Sequence, residues 1–595
     1  MISKIAWGLI IVSVVVVAVF LFFVLPEDNI EELDPEPSLV TLRGTEAGEV
    51  VGFIDNFGSR AWMGIPFAKP PVGDLRWEAP QRPSRSTERI KAIRPSSDCV
   101  QYTSALTTGQ GGSPDSIVGN EDCLYLNVWS PPNAVDLPVM LWIHGGGNSI
   151  GSGSPYNGSI LAARYKVVVV TINYRLGVLG WFHHPKLIRN AKVKSGNFGL
   201  LDIVRSLEWT RDNIDEFGGD PGNVTIFGES SGGANVLALM ASPLVEGLFH
   251  KAIIQSGGLR STPLESATDH LADNGHPNSS RELVSRWFET DGSAKSRTNV
   301  DDLQETLGPK DFATTLRRKS AAELVAAVEP GAFGMVPIPT LIADGTVLPE
   351  QPLNVSKLPT DIPVILGSNR DEPALFMVQD PKFVRTFLGV FNSLKNKVDY
   401  RKRVHYGGLQ WKARGVDSLA VQMTNAGNEN VYAYRFDWDE EPTVMFFDLS
   451  IALGAAHGLE IAFVFGHDDF LANTQIYPDK ADQHELSDQM MTYWTNFARN
   501  GSPGKGKNSA DPEWLSWGTA GKSSIVFDTV SDRGVRMTDE VVTWESIRQE
   551  LLADEEFSDL QTKCELYSEI FDPLGLSRSE DLVKMGCTTG LNPSS

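Results

Sequence analysis

The stretch VTIFGESSGGANVLALM, Val224–Met240, decides how this chain is read. Val224–Phe227 is branched and aromatic, the composition of a buried strand. Gly228 ends it, Ser230 and Ser231 follow Glu229, and Gly232, Gly233 and Ala234 lead into an apolar run with helical spacing. A strand that turns straight into a helix holds the residue at the turn in a strained conformation. The positions two before and two after that residue then come together, where side chains would collide. Around Ser230 those positions are Gly228 and Gly232, whereas around Ser231 they are Glu229 and Gly233. Ser230 is therefore the candidate nucleophile. Ser231 opens the helix, whose N-terminal amides and dipole face the reacting centre.

Outward from this turn, short apolar runs recur: 138–144, 167–174, 251–256, 363–368, 431–438 and 524–530. Their apolarity is continuous rather than alternating, so both faces of each strand are covered. Residues 199–214 and 483–498 repeat apolar side chains at three- and four-residue spacing and read as helices. Strands alternating with helices imply an α/β fold, a large mostly parallel sheet flanked by helices, in a single catalytic domain. Residues 261–335 are polar and helical in pattern and carry no motif; by analogy with other insertions of this kind, they are expected to cap a site.

A serine nucleophile needs a base and donors for the oxyanion. WIHGGGNSIGSG, at the end of a predicted strand, supplies glycines whose amides can approach a carbonyl oxygen. Gly146 and Gly147, with the Ser231 amide, are the candidate oxyanion hole, and His144 reads as structural. The acid and then the histidine follow the serine in chain order in this kind of site. Asp371 and Glu372 both lie just past a predicted strand, and His405, His457, His467 and His484 all lie further on. His484 falls on an amphipathic helix, and His457, flanked by small residues in GAAHGLEIAFVFG, is favoured as the base. His183 and His184 have no partners at metal-ligand spacing. No metal and no cofactor is expected.

Hydrophobic residues make up 41% of the 595, enough for a large core, and the formal net charge is −23. That charge argues against nucleic acid. Ile5–Leu25 is uncharged and, at about 1.5 Å per residue, forms a helix roughly 30 Å long, enough to span a bilayer. It is too long for the apolar region of a cleaved signal and lacks a small-residue cleavage site. With Lys4 on one side, positive-inside bias leaves residues 1–4 cytosolic. The expected arrangement is a single-pass type II membrane protein: an anchor at 5–25, an acidic stalk at 26–37, a lumenal or extracellular catalytic domain at 38–550, and a C-terminal extension at 551–595. Secretion after signal cleavage is the alternative. Cys99, Cys123, Cys564 and Cys587 form two locally spaced pairs, suggesting two disulfides worth about 3 kcal/mol each. Asn157, Asn278 and Asn354 are glycosylation candidates.

The motifs GIPFAKPPVGDLRW, EDCLYLNVWSP, NYRLGVLGWF, GNFGLLDIVRSLEW, FGGDPGNVTIFGESSGG and WTNFARNGSPG are specific. Through them the chain, from about Leu39 to Ile547, resembles the type-B carboxylesterase/cholinesterase family of α/β-hydrolases. The resemblance implies a Ser–Glu–His triad at Ser230, Glu372 and His457. It also implies Gly146, Gly147 and Ser231 as oxyanion donors, a Cys99–Cys123 disulfide and an Arg76–Glu121 ion pair. Glu229, Ser256 and Glu460 fall at positions that support the triad. The implied activity is hydrolysis of a small-molecule carboxylic ester through an acyl-enzyme.

Departures bear on substrate. Cholinesterases carry a tryptophan before EDC that holds a quaternary ammonium, and no aromatic residue lies between Tyr102 and Tyr125 here. Choline esters are not expected. Asn148 replaces a usual phenylalanine, so a more polar wall is expected there, and Pro373 replaces a common glycine. Lipase, amidase or thioesterase activity would use the same groups. Non-catalytic adhesion proteins also resemble this family, but they lose triad residues that this chain keeps.

Overall fold

The computed structural model describes residues 35–587, apart from 105–114, 190, 291, 294–295, 388–390, 445, 468–475 and 479. Within these bounds the apolar runs line up in one eleven-stranded sheet. Its strands are β1 (Phe53–Ile54), β2 (Arg60–Pro66), β3 (Tyr125–Ser130), β4 (Leu137–Ile143), β5 (Val168–Ile172), β6 (Gly219–Glu229), β7 (Lys251–Gln255), β8 (Val364–Asn369), β9 (Val431–Phe436), β10 (Ser524–Phe527) and β11 (Arg536–Thr538). The spatial order is β11-β10-β9-β8-β7-β6-β4-β5-β3-β2-β1. From β5 across to β10 every pairing is parallel. The edges, β3-β2-β1 and β11, are antiparallel.

The parallel strands are buried along their apolar runs, as their continuous apolarity requires. Every residue of Val168–Ile172 and Lys251–Gln255 is buried. Each fully buried valine, leucine or isoleucine contributes about 1.5–3 kcal/mol relative to exposure. The principal helices are α1 (Phe198–Asn213), α2 (Ser231–Met240), α3 (Lys397–Lys412) and α4 (Ala481–Asn500). One apolar cluster joins α1 and α2 to one side of the sheet, and a second packs α4, through Trp494 and Phe497, against the other. The sheet is thus covered on both faces.

Strand β6 starts at Gly219, earlier than the sequence pattern suggests. A register shift between Gly219 and Val224 lets Pro221 and Gly222 join the edge of the strand without ladder bonds. Residues 261–335 form the helices Ser280–Thr290, Arg297–Thr306 and Pro309–Arg317, and the segment ends at Met335, whose sulfur would lie 3.0 Å from a Cβ at Gly147.

Both disulfides are present, Cys99–Cys123 and Cys564–Cys587, with Cα separations of 5.0 and 6.0 Å. Arg76 grips Glu121 with two hydrogen bonds, Nε to Oε1 at 2.6 Å and Nη2 to Oε2 at 2.5 Å. The expected boundary at 550 falls inside the helix Trp544–Ala553. From there Leu560–Phe571 packs Leu566, Tyr567, Ile570 and Phe571 against Tyr406 of α3, so the tail buttresses the back of a helix that reaches the site. The candidate anchor 5–25, residues 1–4 and most of the stalk lie outside the described residues. Among the described residues no helix is long and apolar enough to cross a membrane.

Candidate active site

Ser230 sits where β6 turns into α2, with φ 57° and ψ −122°. That conformation costs a non-glycine residue about 1–3 kcal/mol. The ladder sustains it, because the Ser230 N–H donates to Gln255 O on β7 at 2.9 Å. A Cβ at Gly228 would lie 2.7 Å from the Gly232 carbonyl carbon and 2.6 Å from Ile143 O. One at Gly232 would lie 2.0 Å from Ile143 O. Both flanking positions therefore exclude side chains, as the turn geometry requires.

The glycine loop after β4 faces the same point. Gly146 (φ 92°) and Gly147 (φ 63°) take conformations that favour glycine. Among the described residues, the N–H groups of Gly146 and Gly147 donate to no protein atom. Ser231 is the first residue of α2, so its N–H has no intrahelical acceptor. The Ser231 side chain has a task the sequence did not suggest: its Oγ accepts from the Asn148 N–H at 3.1 Å and braces the glycine loop.

Asn148 does not form a polar wall. It is fully buried, its amide exchanges hydrogen bonds with Asn235 at 2.8 and 3.2 Å, and Tyr174 Oη reaches its Oδ1 at 3.4 Å. An asparagine fits here because α2 and the segment after β5 supply its partners. His144 is buried beside it, stacked on Tyr174 with ring centroids 4.3 Å apart, and burial pushes its pKa down to about 4.

Glu372 and His457 meet at the other side of Ser230. His457 Nδ1 lies 2.5 Å from Glu372 Oε2, and Glu372 Oε1 accepts from the Asn369 N–H at 2.8 Å. The adjacent Asp371 points elsewhere, to Arg370 and to the Ala455 N–H. Behind the pair, Glu460 accepts from Asn369 Nδ2 at 2.6 Å and from Gln255 Nε2 at 3.0 Å. Ser256 has φ 51°, and its buried Oγ has no partner among the described residues. It also lines the cavity beside Ser230.

Among the described residues no hydrogen bond joins Ser230 to His457. Instead, His457 Nε2 lies 3.0 Å from Glu229 Oε1, close but not aligned for a hydrogen bond. Two carboxyl groups thus flank one buried imidazole, with Glu460 behind them. Burial opposes charging of His457, but Glu229 first and Glu372 next outweigh it and raise its pKa to about 9. Burial likewise pushes Glu229 up to about 8, with Glu460 and Glu372 adding to the effect against the pull of His457.

The other sequence candidates lie apart. His405 is an exposed residue of α3 with Nε2 2.6 Å from Glu550, His467 contacts Ser159, and His484 is in the first turn of α4. His184 is buried against Phe312. Of the glycosylation candidates, Asn157 and Asn354 are exposed. Asn278 is buried, and its amide nitrogen donates to Pro337 O at 2.6 Å, so the atom a glycan would occupy is already engaged.

Two cavities meet at Ser230. One, about 50 Å³, is lined by Met335, Leu375, Phe376 and Ile461 together with Gly146 and His457. The other, about 340 Å³, is lined by Ser256, Arg260, Trp411 and Arg414 among others. Trp411 closes the gap between them: its Nε1 donates to Ser256 O at 3.1 Å and its ring lies 4.8 Å from that of His457.

The sequence pattern of the Carboxylesterase family matches residues 36–415 and 413–534. The chain belongs to the carboxylesterase family. The para-nitrobenzyl esterase of Bacillus subtilis is 32% identical over 508 residues, covering 82% of this esterase and 94% of that protein. A human cocaine esterase is 33% identical over 513 residues, covering 79% and 85%. A medium-chain fatty acyl-CoA hydrolase precursor of Anas platyrhynchos is 34% identical over 525 residues, covering 79% and 85%. Among solved structures, a PNB esterase superposes with a TM-score of 0.62 at 30% identity, covering 87% of this esterase and 100% of that chain. The fold is that of the α/β-hydrolases, and the esterase is a serine carboxylic ester hydrolase.

Proposed function

We propose that this esterase cleaves esters by acyl transfer through Ser230. His457 Nε2 takes the Oγ proton as Oγ attacks the ester carbonyl carbon. The N–H groups of Gly146, Gly147 and Ser231 donate to the oxyanion, each worth about 3 kcal/mol of barrier. His457 then gives its proton to the leaving alkoxide. Water repeats the sequence on the acyl-enzyme and releases the acid. Glu372 holds Nδ1, fixes the imidazole tautomer and stabilises its charged form. Glu229 faces Nε2 in the resting enzyme, and the Ser230–His457 hydrogen bond forms as substrate aligns the imidazole, since catalytic hydrogen bonds often tighten only in the complex.

The observation that carries this reading is the strained Ser230, φ 57°, between unoccupied N–H donors and the His457–Glu372 pair. The same groups are what a non-catalytic adhesion protein would be expected to lack. Rates with short-chain p-nitrophenyl esters test it. Ser230→Ala is expected to lose activity, while Ser231→Ala retains most of it, with a modest loss because its hydroxyl braces Asn148. Hydrolysis undiminished in Ser230→Ala would refute the assignment. The same machinery would open thioesters, and a relative named as a fatty acyl-CoA hydrolase makes an acyl-CoA the first to try.

We propose further that Ile5–Leu25 anchors the esterase, with its catalytic domain on the lumenal or extracellular side. The support is a charge-free run long enough to span a bilayer. Sequencing the N-terminus of the mature protein from membranes decides it: residues 1–25 retained supports an anchor, and their absence indicates cleavage and secretion.

A further inference from the structure

The larger cavity at Ser230 holds chemistry that hydrolysis of a neutral ester does not require. Arg260 comes from the loop after β7, and Arg414 from a π-helical turn, Ala413–Asp417, that continues α3. Such turns interrupt the regular spacing of a helix and are frequent at functional sites. Close backbone approach brings the two segments together: a Cβ at Gly415 would lie 2.6 Å from Gly257 O. Both arginine side chains are exposed at the cavity rim.

Neither has an ion pair or hydrogen bond among the described residues. Several less exposed arginines do: Arg76 pairs with Glu121, Arg175 with Asp202, Arg370 with Asp371 and Asp439, and Arg435 with Asp437 and Glu540. At Arg260 the pKa is lowered, first by the surrounding protein and then by Arg414, with no carboxylate opposing either. In a chain of net charge −23, two unpaired guanidinium groups thus line the space beside the nucleophile. Like charges held together disfavour each other, and an anion placed between them relieves that. The planar fork of a guanidinium matches a carboxylate with two parallel hydrogen bonds.

We propose that Arg260 and Arg414 form a carboxylate-binding subsite, so that the preferred substrates are esters bearing a second, free carboxylate, such as half-esters of dicarboxylic acids. The proposal rests on Ser230 as the nucleophile in so far as it concerns turnover. Binding at the subsite does not depend on it.

The test compares p-nitrophenyl hemiglutarate with its neutral counterpart p-nitrophenyl hexanoate, using the full chain and Arg260→Gln, Arg414→Gln and double variants. The wild type is expected to favour the hemiester in kcat/KM. The double variant should lower the hemiester-to-hexanoate ratio about tenfold, mainly through KM, and high salt should erode the wild-type preference. No preference in the wild type, or an unchanged ratio in the double variant, overturns the proposal. Binding of glutarate to Ser230→Ala by calorimetry gives a readout without chemistry: it should be measurable there and lost when the arginine changes are added. Failure of catalysis with arginine-dependent glutarate binding would strike the Ser230 assignment and leave the subsite standing. Absence of glutarate binding, or tighter binding of phenyl phosphate than of glutarate, would overturn the carboxylate assignment.

Discussion

The two cavities that meet at Ser230 are built by opposite means. The small one is an outgrowth of the core: Leu375 and Ile461 belong to the same apolar cluster as the strands beneath them, and Phe376 and Met335 close it. Apart from Tyr156 and the groups at Ser230, Glu229 and His457, its walls are apolar and select by shape. The large one is walled by a loop and an irregular helical turn, and its rim carries Arg260 and Arg414. It can select by charge. With Ser230 as the proposed nucleophile between two such chambers, a substrate could be held by both ends, with apolar burial on one side and ion pairing on the other.

If both chambers serve one reaction centre, damage to the centre must abolish neutral and anionic turnover together. Glu372→Gln leaves His457 Nδ1 without its carboxylate, and loss of a triad acid of this kind costs about 10⁴ in kcat. Steady-state rates on hemiglutarate and hexanoate should fall by the same factor. A fall confined to one of them would mean that the chambers house separate chemistry.

Damage to one chamber should instead move one preference. Phe376→Ala enlarges the apolar side, and chain-length profiles of neutral esters should shift toward longer groups, by about tenfold in relative kcat/KM. The dependence of hemiester hydrolysis on Arg260 and Arg414 should survive. Loss of that dependence in Phe376→Ala would break the division of labour.

The smallest change is in pH dependence. His457 is useful as a base only when neutral, and its pKa stands at about 9, so kcat/KM should rise with pH toward that value. Glu229 is the first of the carboxylates that raise it. Glu229→Gln removes that charge, the imidazolium becomes less favoured, and the rising limb should move to lower pH for both substrates. A limb that stays in place would show that Glu229 does not act on His457.

The elbow was legible because its glycines are a steric requirement: Gly228 and Gly232 mark Ser230 wherever the strand and helix lie. The seven parallel strands, β4 to β10, were legible from their apolar runs, with β6 starting earlier than its run, at Gly219, where Pro221 and Gly222 join it without ladder bonds; the antiparallel edge strands β1, β2, β3 and β11 carry no such run and were not. Residue chemistry and chain order left Asp371 and Glu372 open, and the family resemblance favoured Glu372. The structure separates them because Asp371 is turned to Arg370. Asn148 could not be read, since its burial depends on Asn235 and Tyr174, which the fold brings from other elements. Nor could Arg260 and Arg414, which meet only through a π-helical turn that no period in the sequence announces. Contacts fixed by local backbone geometry were visible in the sequence, and those fixed by packing between distant segments were not.

The central claim is that Ser230, and not its neighbour, carries the acyl group. Labelling the esterase with a fluorophosphonate and mapping the adduct by peptide mass spectrometry tests it most directly. The account predicts a single active-site adduct on Ser230, retained in Ser231→Ala and absent from Ser230→Ala. An adduct on Ser231, or labelling that persists in Ser230→Ala, would contradict it.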